Sequence, residues 1–164
     1  MMEKRILLTA FRNTSSQQLL HGVAEYSPIL LPNDKLRESQ NLIDLLSREE
    51  FDYIISLGQK PNIRNKLHIE TTAGKGDANI DTDVDCEKLR SLFEAYGICA
   101  KISHNAGTSY CNELYWNGLR YLSRNALDTN MVFLHIPYHK NLENADDFRR
   151  KFQLVLRRIK EGQL

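Results

Sequence analysis

The sequence predicts an α/β protein, a three-layer α/β/α sandwich around a mostly parallel central sheet. Short apolar runs of strand length recur along the chain, and amphipathic helical patterns separate them. The runs are apolar at consecutive positions, which is typical of strands buried on both faces by helices. The chain has 164 residues, the length of one ordinary domain, and we expect residues 1–164 to form it.

The first half of the chain carries three short apolar runs, each followed by polar or strand-breaking residues. We predict strands over Ile6–Phe11, Ile29–Leu31 and Tyr53–Leu57. A polar helix is predicted over Thr14–Glu25, and a second helix follows the cap Asp34 and carries apolar residues at helical spacing to Leu46. The segment Gln59–Asp83 is predicted to be irregular, with extended structure only over Lys66–Thr72.

The second half of the chain alternates more regularly. Strands are predicted over Ile98–Ser103 and Met131–Ile136. Helices are predicted between the cap Asp85 and Gly97, over Cys111–Leu122, and from the cap Asn144 to Ile159. Ligands of open parallel sheets bind beyond the carboxyl ends of the strands, so the loops after the strands are the expected place of a site.

Charge and hydropathy exclude several classes of function. The 22 basic and 21 acidic residues leave a net charge of +1, without the basic excess that binds nucleic acid or anionic lipid. No apolar run approaches the roughly 18 residues that a spanning helix needs. The N-terminal Met1–Arg5 leads into too short an apolar stretch for a secretory signal. We expect a cytoplasmic protein with neither a nucleic acid nor a membrane as its partner.

Cys111 has the clearest chemical meaning of the three cysteines. It follows a predicted strand and the turn Gly107–Tyr110, and it opens a helix. A helix N-terminus favours the thiolate, and its unpaired N–H groups can hold an oxyanion. The alternative is an inert, buried cysteine. Cys99 is expected in the core, and Cys86 is a poor nucleophile because acidic residues crowd it.

A thiol enzyme needs a base and a group that orients the base. His135 ends the strand that follows the Cys111 helix, and a right-handed crossover would place both side chains at one edge of the sheet. Glu70 is the preferred orienting acid because apolar residues flank it. From spacing alone, a core histidine and a surface glutamate remain open as alternatives.

A metal site is the rival interpretation of the same residues. The side chains that could act as ligands are His68, Glu70, His104, His135 and His139. They lack the HExxH spacing, and no glycine-rich nucleotide motif is present. We therefore expect no metal and no cofactor.

Four blocks of the chain together resemble the pyroglutamyl peptidase (pyrrolidone-carboxylate peptidase) family of cysteine peptidases, and they occur in the family's order. The blocks are Ile6–Phe11, Ile54–Gln59 with Glu70 after it, Ala106–Asn112 and Phe133–Pro137. The third block fits the family pattern Ala-Gly-x-x-x-Cys-Asn. The resemblance covers most of the chain, and it implies an α/β/α sandwich that removes an N-terminal pyroglutamyl residue from peptides.

The resemblance also implies roles for individual residues. Cys111 would attack the acyl carbonyl to form a thioester, His135 would move the proton, and Glu70 would hold the imidazole. The implied substrate-binding positions are Phe11, Asn33, Gln59, Ser109 and Tyr110. The expected partner is a peptide or small amide substrate, and a homo-oligomer is left open.

The chain departs from the family pattern around the substrate. Thr14 replaces a pocket phenylalanine, Ser109 replaces another aromatic, and an Ala-Arg-x-Pro-Asp-Asn stretch is missing after Glu70. The loss of two aromatic walls weakens the apolar recognition of a lactam ring. Two functions therefore stay open: a Cys-His-Glu peptidase acting on a pyroglutamyl or related acyl group, and a non-catalytic relative that binds a peptide end or small metabolite.

Overall fold

The computed structural model describes residues 2–164, in which five α-helices and eight strands are present. The strands are β1 Ile6–Phe11, β2 Pro28–Leu31, β3 Tyr53–Lys60, β4 Lys66–Glu70, β5 Thr72–Lys75, β6 Ala78–Asp81, β7 Cys99–Ser103 and β8 Asn130–Pro137. The helices are α1 Ser15–Gln18, α2 Lys35–Leu46, α3 Cys86–Ala95, α4 Tyr110–Arg124 and α5 Ala145–Lys160. Across residues 2–164, no helix combines the length and the apolar content needed to cross a bilayer.

Six strands form one sheet in the order β2-β1-β3-β8-β4-β7. Strands β2, β1, β3 and β8 are parallel to one another. β4 is antiparallel to β8 and parallel to β7, so two strands at one side of the sheet run the opposite way. β5 and β6 form a separate antiparallel hairpin. The mostly parallel sheet is confirmed, and the reversed pair is the feature that the sequence pattern did not indicate.

Helices cover both faces of the sheet. Ile54 and Phe133 belong to an apolar cluster with α2 and α4, whereas Ile55 and Leu134 belong to a second cluster with α3 and α5. Consecutive apolar residues in one strand thus serve opposite layers, because side chains alternate across a strand. The predicted three-layer α/β/α sandwich is confirmed.

Three helices begin at the predicted cap residues. The side chains of Asp34, Asp85 and Asn144 each accept a hydrogen bond from a backbone N–H in the first turn of α2, α3 and α5. Such caps satisfy N–H groups that have no partner within the helix. The three start points are therefore determined locally.

The predicted helix over Thr14–Glu25 is wrong. Only Ser15–Gln18 is α-helical, and a 3₁₀ turn follows at Ala24–Tyr26. Gly22 lies between them with φ of +76°, a left-handed conformation that cannot continue a right-handed helix. The buried apolar residues Leu19 and Val23 therefore lie between these two short elements and not in a continuous helix.

In the segment Gln59–Asp83, the extended structure predicted over Lys66–Thr72 is confirmed by β4. The prediction that the rest is irregular is wrong, since β5 and β6 form a hairpin there. Lys75 pairs with Ala78, which leaves a two-residue hairpin turn. Gly76 is the first turn residue and has φ of +59°, the backbone conformation that a two-residue hairpin requires there. The Gly-Asp pair was thus a usable hairpin signal.

Cys99 is exposed, contrary to the prediction that it lies in the core. It opens β7, which is an edge strand of the sheet. An edge strand has a neighbouring strand on one side only. Its apolar sequence therefore does not guarantee burial.

Candidate active site

Cys111 lies in the first turn of α4 and packs directly on the sheet. The residue is 8% exposed. A Cβ atom built on Gly58 of β3 would lie 2.5 Å from the Cys111 Sγ and 2.8 Å from the ring of Phe133. Only glycine at this strand position lets the sulfur approach the backbone so closely.

His135 lies on the strand next to Gly58. The two residues are register partners in the parallel pair β3 and β8, and neighbouring strands are about 4.8 Å apart. Its ring stands beside that of Phe133, with 5.0 Å between the ring centroids. The Cys111 sulfur and the His135 imidazole therefore share the face of the sheet beneath α4.

The topological reason predicted for this meeting is wrong. β7 and β8 are not neighbours, because β4 lies between them, and β7 runs opposite to β8. No right-handed parallel crossover joins them. The segment 104–109 instead leads the chain from β7 to the start of α4, which lies over β3 and β8.

Glu70 is the last residue of β4 and is fully buried. It is the register partner of Phe133, which makes it a diagonal neighbour of His135 in the antiparallel pair. The His135 Nδ1 lies 2.7 Å from the Glu70 Oε1. An ionised carboxylate only accepts hydrogen bonds, so Nδ1 carries the hydrogen and Nε2 is left free to accept a proton.

The charge of Glu70 is supported by Lys60, a residue that the sequence motifs did not indicate. The Lys60 Nζ lies 3.3 Å from the Glu70 Oε1 and 3.2 Å from the His68 Nδ1. Burial acts to raise the pKa of Glu70, but the interactions with His135, Ser103 and Lys60 hold that pKa below its ordinary value. Burial, followed by the charge of Lys60, lowers the pKa of His68 to about 4, so His68 is neutral at pH 7.

The Cys111 thiol is protonated at rest. Burial, then the carboxyl groups of Glu38 and Glu70, raise its pKa to about 12. The expectation that the helix N-terminus favours a resting thiolate is therefore wrong. Burial and the adjacent Asp85 and Glu87 raise the pKa of Cys86 to about 11. Both thiols are therefore protonated at pH 7. A nucleophilic Cys111 must pass its proton to a base during the reaction.

The position of α4 is supported by contacts from neighbouring elements. The Asn112 side chain bonds both backbone groups of Gly74 in β5, with Oδ1 accepting at 2.9 Å and Nδ2 donating at 2.8 Å. The Tyr115 hydroxyl donates to the backbone oxygen of Glu70 at 2.8 Å. These bonds hold the first two turns of α4 against β4 and β5.

Three of the expected substrate-binding residues lie near the sulfur. Phe11 ends β1, is buried, and belongs to the same apolar cluster as Cys111. Ser109 and Tyr110 immediately precede Cys111 and are exposed. Phe11 thus shares an apolar layer with Cys111, and Ser109 and Tyr110 lie beside it at the start of α4.

The side chains of the other two expected substrate-binding residues, Gln59 and Asn33, form hydrogen bonds to loops away from the sulfur. Gln59 points to the face opposite Gly58, where its Oε1 accepts a hydrogen bond of 3.0 Å from the Ser15 N–H. Asn33 is exposed, and its Nδ2 donates to the Arg12 oxygen at 3.0 Å. Both therefore brace loops, and only the Gln59 backbone is near the sulfur.

The candidate metal ligands do not form a cation site. His104 is bonded to the Thr71 hydroxyl, with 2.6 Å between Nδ1 and Oγ1, and His139 is exposed in a 3₁₀ turn. The remaining three lie in a chain of contacts that includes the ammonium of Lys60: His135, Glu70 and His68. Within residues 2–164 no group of three or more acidic, histidine or cysteine side chains is arranged to hold a metal.

The arrangement is suited to acyl transfer. A neutral thiol and an imidazole with a free nitrogen lie over the same face of the sheet. A buried carboxylate faces the other imidazole nitrogen. The N–H groups of the first turn of α4 can accept the negative charge that develops on a carbonyl oxygen.

We expect Gly58→Ala to lower the free energy of unfolding by about 1–3 kcal/mol, because the added methyl group overpacks a filled space. Its Cβ would be 2.5 Å from the Cys111 sulfur and 2.8 Å from the Phe133 ring. Denaturant unfolding measures the loss. Gly74→Ala is the matched control, since its new Cβ would meet the Asn79 side-chain oxygen at 3.2 Å and the Ala78 backbone oxygen at 3.8 Å. Equal stability of the two variants would contradict the packing.

Comparisons with known proteins agree with this fold. The family model described as Pyroglutamyl peptidase matches residues 62–149. A pyrrolidone-carboxylate peptidase of Thermoanaerobacter sp. is 28% identical over 137 residues, covering 70% of this chain and 67% of that protein. One from Oceanobacillus iheyensis is 25% identical and covers 90% of this chain and 92% of its own length.

Solved structures are similar over nearly the whole chain. The pyroglutamyl peptidase I of Bacillus amyloliquefaciens superposes with a TM-score of 0.79 at 22% identity, covering 94% of this chain and 93% of that one. The pyrrolidone carboxyl peptidase of Fervidobacterium islandicum gives a TM-score of 0.82 at 16% identity, covering 97% and 99%. At these identities the likeness is one of fold.

Proposed function

Because this chain belongs to the pyroglutamyl peptidase family, we propose that it is a cysteine peptidase that removes an N-terminal pyroglutamyl or related acyl group. Cys111 acts as nucleophile, His135 as base and acid, and Glu70 as the group that orients the imidazole. Two observations carry the proposal. The Cys111 sulfur packs against Gly58, the register partner of His135, and the His135 Nδ1 lies 2.7 Å from the Glu70 Oε1.

The first step forms a tetrahedral adduct between Cys111 and the acyl group. The His135 Nε2 takes the Cys111 proton as the sulfur attacks the acyl carbonyl carbon. The carbonyl oxygen gains the negative charge, and N–H groups at the start of α4 stabilise it. The positive charge on the imidazole is balanced by the buried Glu70 carboxylate, whose pKa is held low by His135, Ser103 and Lys60.

The second step releases the amine and then the acid. The carbonyl double bond forms again as the carbon–nitrogen bond breaks, which leaves the thioester. The imidazolium gives its proton to the leaving nitrogen, so His135 is neutral again. A water molecule then attacks the thioester while His135 takes one of its protons. The carbon–sulfur bond breaks, the proton returns to the Cys111 sulfur, and the acid leaves.

The nature of the acyl group is the open part of the activity. The relatives carry the name pyrrolidone-carboxylate peptidase, which supports an N-terminal peptide substrate. Thr14 and Ser109 stand where the family pattern has aromatic residues, so the cavity walls differ from that pattern.

A panel of fluorogenic amides tests the proposal. It contains pyroglutamyl, prolyl, alanyl and N-acetylalanyl amides, and we expect at least one to be hydrolysed. Rapid acid quenching followed by mass spectrometry should find the acyl group on the peptide that contains Cys111. If no amide is hydrolysed and no adduct forms, the peptidase is excluded. Tight binding of an amide without turnover would then identify the non-catalytic relative.

A further inference from the structure

Glu38 on α2 is a buried acid that the proposed mechanism does not use. The residue is fully buried, and within residues 2–164 neither of its carboxyl oxygens has a hydrogen-bond partner. A polar group without a partner in the interior is costly. Burial, then the carboxyl group of Glu113, raise the pKa of Glu38 to about 8, so it is protonated at pH 7.

Two contacts fix how α2 lies against α4. The Lys35 Nζ, at the start of α2, bonds the Thr108 oxygen just before α4 at 3.1 Å. One turn along, the Ser39 Oγ accepts a hydrogen bond of 2.9 Å from the Asn117 Nδ2. The contacts advance in the same direction on both helices, so the helices run parallel.

Glu38 lies between these two contacts. The part of α4 between them contains Cys111 and Leu114, which are both buried. Leu42, one turn beyond Glu38 on α2, packs against Gly118 of α4, where an added Cβ would lie 3.3 Å from the Leu42 Cδ2. Gly118 lies two turns after Cys111 on the same face of α4. The Glu38 carboxyl group therefore lies on the side of α4 that carries the nucleophile.

The position matches one atom of the substrate. In an N-terminal residue, the α-nitrogen is attached to the carbon next to the carbonyl carbon that Cys111 attacks. An acid beside the sulfur is thus placed to meet that nitrogen. The nitrogen is a neutral lactam N–H in a pyroglutamyl residue and a cation in an unblocked one.

We propose that Glu38 binds the α-nitrogen of the substrate's N-terminal residue and that the enzyme prefers residues in which this nitrogen is positively charged. The inference rests on the proposed peptidase function and names its substrate class, unblocked aminoacyl groups such as prolyl. A cation supplies the partner that the buried carboxyl group lacks and forms a charge-assisted hydrogen bond, which is stronger than a neutral one.

No other charge nearby serves this purpose. The charged or titratable groups that face Glu38 are Asp34 and Lys35 from its own helix and Cys111 and Glu113 from α4. The one cation, Lys35, is exposed and bonds the Thr108 oxygen. The two acids add to the negative potential, so a cationic ligand is favoured.

Proton release upon binding is the direct test. The inactive Cys111→Ala protein is titrated by calorimetry with L-prolinamide at about pH 6.5, where this amine is charged, in two buffers of different ionisation enthalpy. We expect release of close to one proton, because Glu38 is protonated in the free protein and ionises beside the cation. Pyroglutamic acid amide has the same ring size without the charge and should release none.

Glu38→Gln in the same Cys111→Ala background tests the residue itself. L-prolinamide binding should weaken by about ten-fold or more and lose its proton release, while binding of the lactam changes by less than about three-fold. Asp44→Asn, which alters an exposed acid of the same helix, is the matched control and should keep both properties. If Glu38→Gln does not fold, the proton release in the Cys111→Ala protein alone decides the question.

Binding of L-prolinamide without proton release, or no binding at all, would overturn the inference. The same holds if Glu38→Gln binds it as tightly as its parent protein. These outcomes are separate from the fate of the peptidase. Hydrolysis through Cys111 with no effect of Glu38→Gln would support the peptidase and refute the Glu38 site. Proton-linked binding without hydrolysis would support the Glu38 site and refute the peptidase.

Discussion

Cys111→Ala is expected to reduce kcat/KM for every amide that the wild-type protein hydrolyses by about 10⁴-fold or more. The substitution removes the atom that forms the thioester. The melting temperature should fall by only a few degrees, since the loss of one buried sulfur leaves a small cavity worth about 1 kcal/mol. Steady-state rates and thermal unfolding measured on the same preparations test both parts.

The other cysteines provide the controls for this variant. Cys99→Ala alters an exposed thiol on the edge strand β7, and Cys86→Ala alters a thiol at the start of α3. Both should retain activity. Turnover by Cys111→Ala at the wild-type rate would refute the nucleophile assignment, and loss of activity in either control would point to a structural effect of removing thiols.

Glu70→Gln is expected to lower kcat by about 10²- to 10⁴-fold. The amide has nearly the shape of the carboxylate, but it cannot balance the charge on a protonated His135. It also leaves the Lys60 ammonium, 3.3 Å from Oε1 in the wild-type protein, without its counter-charge. The free energy of unfolding should fall by about 1–3 kcal/mol at pH 7.

This stability difference should depend on pH in a definite direction. The pKa of Glu70 is lower in the folded protein than its ordinary value. Its ionisation therefore stabilises the fold above the unfolded-state pKa of about 4.3, and this contribution is lost as the pH falls through the folded value. The gap between wild type and Glu70→Gln should be full at neutral pH and should shrink in acid.

Urea unfolding at several values between about pH 3 and pH 7 measures this gap, and the pH range spans the ordinary glutamate pKa. Glu113→Gln is a matched control, because Glu113 is partly exposed and its ion pair with Lys75 is long, with 3.9 Å between Nζ and Oε1. A gap that is constant over this range would show that Glu70 is not ionised in the folded protein.

Local sequence determined much of this molecule. The apolar runs specified β1, β2, β3, β7 and β8, and the caps Asp34, Asp85 and Asn144 specified where three helices begin. Each of these features depends on residues that are close together in the chain. The blocks around Cys111 and His135 likewise indicated thiol chemistry, because each matches a family pattern within a few consecutive residues.

The direction of β4 and β7 was decided by tertiary structure. β4 pairs with β8 in antiparallel orientation through His68 and His135, residues from distant parts of the chain. An apolar run predicts that a strand is buried, but it does not encode which way the strand runs or which strand it joins. The predicted right-handed crossover between β7 and β8 was wrong for this reason.

The sequence by itself therefore determined the fold class, the main elements and the thiol chemistry. Only the tertiary structure placed Lys60 against Glu70 and packed the helix of Glu38 against the face of α4 that carries Cys111. It also reversed the expected acidity of Cys111, because burial and two distant carboxyl groups outweigh the local effect of the helix N-terminus. Burial and the electrostatic potential at a residue depend on atoms from the whole fold, whereas caps and strand patterns depend on a few residues that are neighbours in the chain.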